Sequence, residues 1–293
     1  MIQNRRNQLA GSIVSNGIFW ILSIVCVAPI ILLISISLSD NGQILSSGYS
    51  FFPKGLNFEA YSYLLKDSAK LVQAYKITLI STFFGTLGSM LCTILLAYVT
   101  SRENYAYKNI VSFMIFFSML FSAGMVPSYI WITKYLHLRN NLLVLIVPTF
   151  VQAWYIILMR SFFYSIPEEI TEAATIDGCS EWKILFQIVL PLSKPAIATV
   201  GLFTILSYFN DWQTSMLYMD DTSKISIQYF LYKTLNNISE AQSSNMFFEA
   251  GEIFPQEPVR MAMAVITILP IVVIFPFLQK YFVKGITLGA VKG

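Results

Sequence analysis

Six long stretches of this chain are almost free of charge, and they limit its fold more than any other feature. No Asp, Glu, Lys or Arg occurs between Arg6 and Asp40, Lys76 and Arg102, Lys108 and Lys134, Arg139 and Arg160, or Arg260 and Lys280. A sixth stretch, from Lys194 to Asp220, is interrupted only by Asp211. A helix needs about 20 apolar residues to cross the roughly 30 Å hydrocarbon core of a bilayer. Each stretch meets or nearly meets that length. The sequence therefore predicts an all-α membrane protein with six transmembrane helices, over about 12–39, 77–101, 109–133, 140–160, 195–219 and 259–280.

Composition excludes the main alternatives. Only 12% of the 293 residues are charged and 56% are hydrophobic, against about 25% and 45–50% in soluble domains. A disordered chain, a disulfide scaffold and most cytosolic enzymes do not fit these values. The net charge of +3 and the scattered basic residues give no sign of nucleic-acid binding. Cys26, Cys92 and Cys179 show no CxxC spacing, so neither a disulfide framework nor a zinc site is expected. His137, the one histidine, reads as a polar surface residue.

The first apolar stretch is too long for a signal-peptide core and lacks a small-x-small cleavage site, so it reads as a retained helix. Pro29 is tolerable within it, because neighbouring helices can satisfy the carbonyl it frees. Residues 1–11 then form a short N-terminal segment. Arg5 and Arg6 place that segment in the cytoplasm, and six crossings return the C-terminus to the same side. Lys and Arg divide almost evenly, ten inside and nine outside, while the acids favour the outside by nine to six. The outer segment from Asp40 to Lys76 is rich in aromatics and reads as an interfacial or mouth-capping segment.

Charge gathers in the inner loop, 161–194. Ser165 and Glu168 have capping-box spacing, although Pro167 also suits a first helical turn. Ile170, Ala173, Ala174 and Asp177 recur at helical spacing, and Gly178 suits a left-handed helix stop. Ser180 suits the cap of a second short helix with Trp182, Leu185, Phe186 and Val189 on one face, ended by Pro191 and Pro195. On hydrophobic pattern alone this is an amphipathic interfacial hairpin.

The order of residues in that loop adds more. Glu172-Ala173-Ala174, Gly178, Ile188 and Leu190-Pro191 follow an EAA---G---------I-LP pattern. In this the chain resembles the membrane subunits of ATP-binding-cassette (ABC) importers. Phe52-Pro53 with Asn57 to Tyr61, Asn210-Asp211-Trp212 and the Lys284 to Gly293 ending are similar to the six-helix second permease of carbohydrate-uptake systems. The resemblance spans nearly the whole chain and is strongest to permeases for oligosaccharides derived from complex polysaccharides.

The resemblance implies an ABC-importer permease fold over 12–293, in a bacterial cell membrane. It implies a heterodimer with a second permease, two ATPase subunits, and an extracellular lipid-anchored or periplasmic solute-binding protein that delivers an oligosaccharide. Glu172, Ala173, Ala174, Asp177 and Gly178 become a coupling helix docked on the ATPase, with Ile188, Leu190 and Pro191 completing the loop. Lys292 and Gly293 become a tail that reaches the ATPase pair. The chain has no GxxxxGK[ST] phosphate loop, so ATP and Mg belong to the partner ATPase and no cofactor is expected in this chain.

Asp211 is the one acid inside a predicted span. A carboxylate at a helix centre costs roughly 2.5–3.5 kcal/mol on insertion scales, so it normally faces a cavity or a partner. With Tyr208, Asn210 and Trp212 it reads either as lining of the sugar pathway or as a local cap near the outer surface. Tyr129, Trp131, Gln152 and Trp154 are further pathway candidates, although such aromatics also form interfacial belts. Gly85, Gly88 and Ser89 read as helix-packing residues. An ion-coupled secondary transporter is the alternative function, but it calls for paired intramembrane charges and an internal repeat. A membrane enzyme would need a motif such as HExxH or GxSxG, and neither is present.

Overall fold

The computed structural model describes residues 2–66, 68–243 and 255–290, and among these every regular element is helical. The predicted tail pair Lys292 and Gly293 lies outside the described residues. Helix α1 (Ile2–Ser37) is followed by α2 (Asn41–Ser47), α3 (Glu59–Lys66), α4 (Ser68–Ser101) and α5 (Lys108–Leu120). Next come α6 (Met125–Ile130) with a π-helical extension to Tyr135, a 3-10 turn at Leu142–Leu145, and α7 (Ala153–Tyr164). The following segment holds α8 (Glu168–Ile176), α9 (Glu181–Ile184), a π turn at Leu185–Val189 and α10 (Leu190–Leu192). The chain ends with α11 (Lys194–Phe209), α12 (Gln213–Tyr218), α13 (Ile227–Ser243) and α14 (Gln256–Ala290).

The chain divides into two units. One comprises Met1–Ser68 and Lys233–Pro270. In it α1 runs unbroken through Pro29 and carries no charge over Ser15–Ser37, with Phe19 and Trp20 exposed. An apolar helix whose side chains stay largely exposed suits a lipid surrounding. The segment after it folds back on its end: Asp40 N–H donates to the Lys54 carbonyl (3.0 Å), and the Ser37 and Tyr61 hydroxyls share a hydrogen bond (2.8 Å). Asp40 caps α2 by accepting the Gln43 N–H at 3.0 Å. Tyr49 donates to Glu257 at 3.0 Å, and that bond holds its hydroxyl pKa above the usual tyrosine value.

The other unit comprises Ala69–Tyr232 and Ile271–Gly293 and is organised along α4. Near one end of α4, Ile77 packs with Ile132, Val144, Leu145 and Tyr218. At the other, Ala97 and Tyr98 pack with Ile156, Met159, Ala174, Ile184, Leu185 and Val200. Twenty helical residues separate Ile77 from Ala97, about 30 Å at 1.5 Å per residue. One end of α4 thus gathers α6, the 3-10 turn and α12, and the other gathers α7, α8, α9 and α11.

Among the described residues, three helices are by themselves long and apolar enough to cross a bilayer, or up to five if two bent pairs each count as one crossing. The six predicted stretches are therefore not six continuous helices. The third turns by 115° between α5 and residues 125–135. The fourth is a 3-10 turn and α7, with Pro148 and Thr149 non-helical between them. The fifth breaks between α11 and α12 at Asn210 to Trp212. Absence of charge sets how deep a segment can lie in the membrane, and says nothing about whether its backbone stays helical.

Candidate functional site

These three interruptions converge. Residues from each line one cavity of about 590 Å³: Ser122 and Gly124 from the α5–α6 break, Pro148 and Thr149 from the fourth stretch, and Asn210 to Trp212 from the α11–α12 break. Each break has a local cause. Gly124 takes φ +84, a backbone state that costs glycine least. Pro148 lacks the N–H that a continuing helix needs. At the third break the Asp211 carboxylate accepts the Thr214 N–H (3.0 Å), ending one helix and starting the next.

The wall around Asp211 is held by a chain of hydroxyls. Ser226 donates its hydroxyl to the Asp211 carbonyl (3.0 Å) and its N–H to Ser215 Oγ (3.1 Å). Asn210 Oδ1 accepts from Gln228 Nε2 at 3.2 Å. Tyr208 donates to the Ile146 carbonyl (2.9 Å), tying α11 to the 3-10 turn. Trp212 stacks on Tyr232 with centroids 4.7 Å apart and leaves 38% of its surface free. The result is a polar, hydroxyl- and amide-bearing hollow with aromatic surface at its side.

Four of the predicted pathway residues, Tyr208, Asn210, Asp211 and Trp212, are thus brought together. Asp211 both accepts the Thr214 N–H in the first turn of α12 and lines the cavity. Tyr129, Trp131, Gln152 and Trp154 are not in the lining. Tyr129 stacks on Tyr218 (5.6 Å), Trp131 stacks on Tyr135 (5.2 Å), Gln152 starts α7, and Trp154 is exposed. Sequence reasoning missed Ser122, Gly124, Ser128 and Thr149. Their signal was Gly124, Pro127 and Pro148 inside apolar stretches, since irregular backbone at membrane depth is tolerated where it is buried or lines a cavity.

Beyond the cavity, two loops are clasped. Arg139 binds Asp220 through both Nε and Nη2 at 3.0 Å. Asn140, at φ +57, donates its N–H to the Tyr218 carbonyl (2.8 Å) and accepts the Asp221 N–H (3.2 Å). The Asp221 carboxylate accepts the Ser223 N–H (2.9 Å) and hydroxyl (2.7 Å), which hold its pKa below the usual carboxylate range. His137 is exposed with a left-handed φ of +51.

The 165–194 segment sits at the other end of α4. Helix α8 ends in a Schellman motif: Cys179 N–H reaches the Ala174 carbonyl and Gly178 N–H the Thr175 carbonyl, both at 3.0 Å, with Gly178 at φ +77. The capping box does not form. Pro167 occupies the N-cap position of α8, and the Ser165 hydroxyl turns back to the Phe162 carbonyl (2.7 Å). Ser180 does cap α9, by accepting the Lys183 N–H at 3.4 Å. Ala174 is buried within the chain's own core, whereas Glu172, Ala173, Asp177 and Gly178 are exposed.

The predicted single face of the second helix splits in two. Leu185 and Val189 are buried, while Trp182 and Phe186 are 62% and 55% exposed and stacked on each other. The helix ends at Leu192, one residue past Pro191, and the chain bends by 84° into α11. A π turn at 185–189 precedes that proline, which has no N–H to continue the ladder. Ile188 and Leu190 pack against the core. Tyr98 donates to the Glu181 carboxylate, and Arg102 approaches the same group at 3.4 Å, so the end of α4 grips the start of α9.

Residues 8–288 match the family described as "Binding-protein-dependent transport system inner membrane component". The chain belongs to this family. Among similar proteins, the polygalacturonan/rhamnogalacturonan transport system permease protein YtcP of Bacillus subtilis is 36% identical over 280 residues, covering 94% of this chain and 96% of its own. Protein LplC of the same organism is 32% identical over 269 residues, covering 92% and 90%. A solved bacterial ABC transporter involved in the import of the acidic polysaccharide alginate matches with a TM-score of 0.79 and 30% identity, covering 94% of this chain and 98% of that one. This binding-protein-dependent permease is therefore a membrane transport subunit and not an enzyme, and its apolar helices are those of a multi-pass protein.

Proposed function

We propose that this chain is one of the two permeases of an ATP-driven importer, and that it passes an oligosaccharide from an extracellular binding protein through the cavity around Asp211. The supporting observation is the meeting of three broken apolar stretches at one hollow lined by hydroxyls and amides. Transporters build substrate sites from discontinuous helices near the membrane midplane. Ser, Thr, Asn and Gln groups suit sugar hydroxyls, and Trp212 offers a ring face to a sugar ring. The relatives named for carbohydrate transport support the same cargo class.

The full arrangement follows from six crossings. Residues 1–11 lie in the cytoplasm, and 12–293 form the permease domain. Helices α1, α4 and α14 cross unbroken. The stretches 109–133, 140–160 and 195–219 cross with interruptions, and 161–194 returns to the cytoplasm beside both termini. There Glu172, Ala173, Asp177 and Gly178 meet an ATPase, with Glu172 placed to accept charge-assisted hydrogen bonds. Ala174, Ile188, Leu190 and Pro191 instead tie that surface to the spans. The Lys292–Gly293 tail extends toward the same ATPase pair, which holds ATP and Mg, while this chain holds no cofactor. The other partners are a second, different permease and the lipid-anchored or periplasmic binding protein.

Reconstitution of both permeases, both ATPases and the binding protein tests this reading. Uptake of labelled oligosaccharide requires ATP, and Ser128→Trp, which fills the cavity, lowers uptake by at least about tenfold while ATPase activity persists. Uptake that survives without ATPase subunits, driven by an ion gradient, would overturn it.

A further inference from the structure

Resting on the membrane orientation of that reading, we propose that Lys108, Arg160 and Tyr164 bind the phosphate of an anionic phospholipid in the inner leaflet. Lys108 opens α5, and Arg160 and Tyr164 lie one turn apart at the end of α7. Both cations sit against one ring: Lys108 Nζ is 5.4 Å and the Arg160 guanidinium 5.1 Å from the centroid of Tyr164. Arg160 Nη2 donates to the Tyr164 hydroxyl (3.1 Å), which donates in turn to the Thr100 carbonyl (3.3 Å) near the end of α4. Burial alone would raise the pKa of that hydroxyl, yet hydrogen bonds and charge from Arg160 and Lys108 hold it below the usual tyrosine value. Two positive charges are thus gathered on one phenol where α4, α5 and α7 meet. Helix α5 also begins here without a side-chain cap, so its first N–H groups add positive potential. Arg160 Nε has no acceptor among the described residues.

The surface beside this cluster is apolar. On α5, Ile110, Phe113, Met114 and Phe117 are each between 48% and 65% exposed. Just before Lys108, Tyr105 and Tyr107 are exposed and meet edge to face at 6.0 Å. Apolar side chains on one side, with tyrosines and cations on the other, mark a membrane–water boundary. Basic pockets between spans on the cytoplasmic side take up the head groups of anionic lipids. A phosphate diester offers acceptors to the Arg160 fork and to Lys108, while its acyl chains lie along the apolar surface of α5. A zwitterionic head group brings its own ammonium toward two cations and fits less well. The nearby acids Glu103, Glu168 and Glu169 line a hollow of about 490 Å³ that Tyr164 borders, and neither Lys108 nor Arg160 is in that lining.

The test uses the complete complex of two permeases and two ATPases, released from nanodiscs of mixed phosphatidylglycerol and phosphatidylcholine, with bound lipid read by native mass spectrometry. Wild type is expected to retain phosphatidylglycerol in preference to phosphatidylcholine. Lys108→Gln lowers that retention about fivefold, the weight of one basic group at an anionic surface, whereas Lys108→Arg keeps it. Lys134→Gln, the same loss of charge outside the cluster, keeps it too. No preference in wild type, or retention unmoved by Lys108→Gln, overturns the lipid site alone, and a partner subunit's carboxylate seated on the pair would give that result. Displacement of the lipid by millimolar inorganic phosphate overturns the choice of a lipid over a free anion. Lys108→Cys is then placed in a chain whose own cysteines are serine. If an impermeant maleimide labels it only from outside intact cells, the orientation fails, and the reading it belongs to fails with it whatever lipid is retained.

Discussion

Two glycines of α4 decide how closely its neighbours approach. A Cβ on Gly85 would overlap the ring of Tyr208, and one on Gly88 would overlap the ring of Phe150. The sequence suggested small residues that let helices meet, and what they admit is aromatic rings. Tyr208 lines the cavity and anchors the 3-10 turn through its 2.9 Å hydrogen bond, so Gly85 seats a ring that lines the hollow. Forcing a methyl into such a contact typically costs about 1–3 kcal/mol. Gly85→Ala should therefore lower the thermal unfolding temperature of the purified complex and weaken saccharide binding together. Gly17→Ala is the matched control: nothing lies within 4 Å of its Cβ position, so it should leave both unchanged. Equal behaviour of the two variants would show that the Tyr208 seat does not matter.

At the scale of elements, the aim of α8 depends on the turn that ends it. Gly178 stands at φ +77 between α8 and α9, and a left-handed conformation costs other L-residues roughly 1–2 kcal/mol. Gly178→Val should disturb the Schellman turn and lower the ratio of sugar imported to ATP hydrolysed, whereas Gly178→Asn, better suited to this conformation, should largely preserve it. A Val variant with an unchanged ratio would remove the turn from the coupling argument. This turn was legible in advance, because a helical run followed by Gly178 is a local signal with one physical solution. The α9 face was not, since the π turn at 185–189 shifts the register and separates Trp182 and Phe186 from Leu185 and Val189. The apolar stretches were legible for the same reason as the turn, since charge cannot be hidden in hydrocarbon. Their breaks at 121–124, 148–149 and 210–212 have local signals in Gly124, Pro148 and Asp211, but the meeting of the breaks at one hollow depends on tertiary partners such as Ser226 and Ile146, which single-segment periodicity does not contain.

At the scale of the whole molecule, the buried and bare surfaces divide by task. Among the described residues nothing buries helix α1 over residues 15–27, as a lipid-facing segment can be. Ile176 is different. It lies at the end of α8, among charged residues, yet it is 85% exposed. An apolar side chain so placed on an aqueous loop is stabilised by a partner surface. If 161–194 faces the cytoplasm and meets an ATPase, two results follow for Ile176→Cys in a chain with Cys26, Cys92 and Cys179 replaced by serine. A membrane-impermeant maleimide should label it in inside-out vesicles and not in intact cells, while Ser46→Cys, in the segment the sequence predicts to be outside, should show the reverse. Adding the ATPase subunits should then slow labelling of Ile176→Cys several-fold and leave Ser46→Cys unaffected. Labelling of Ile176→Cys from outside intact cells would invert the topology and with it the direction in which ATP hydrolysis drives the spans. Labelling from inside that the ATPase fails to slow would keep the topology and remove α8 from the docking surface.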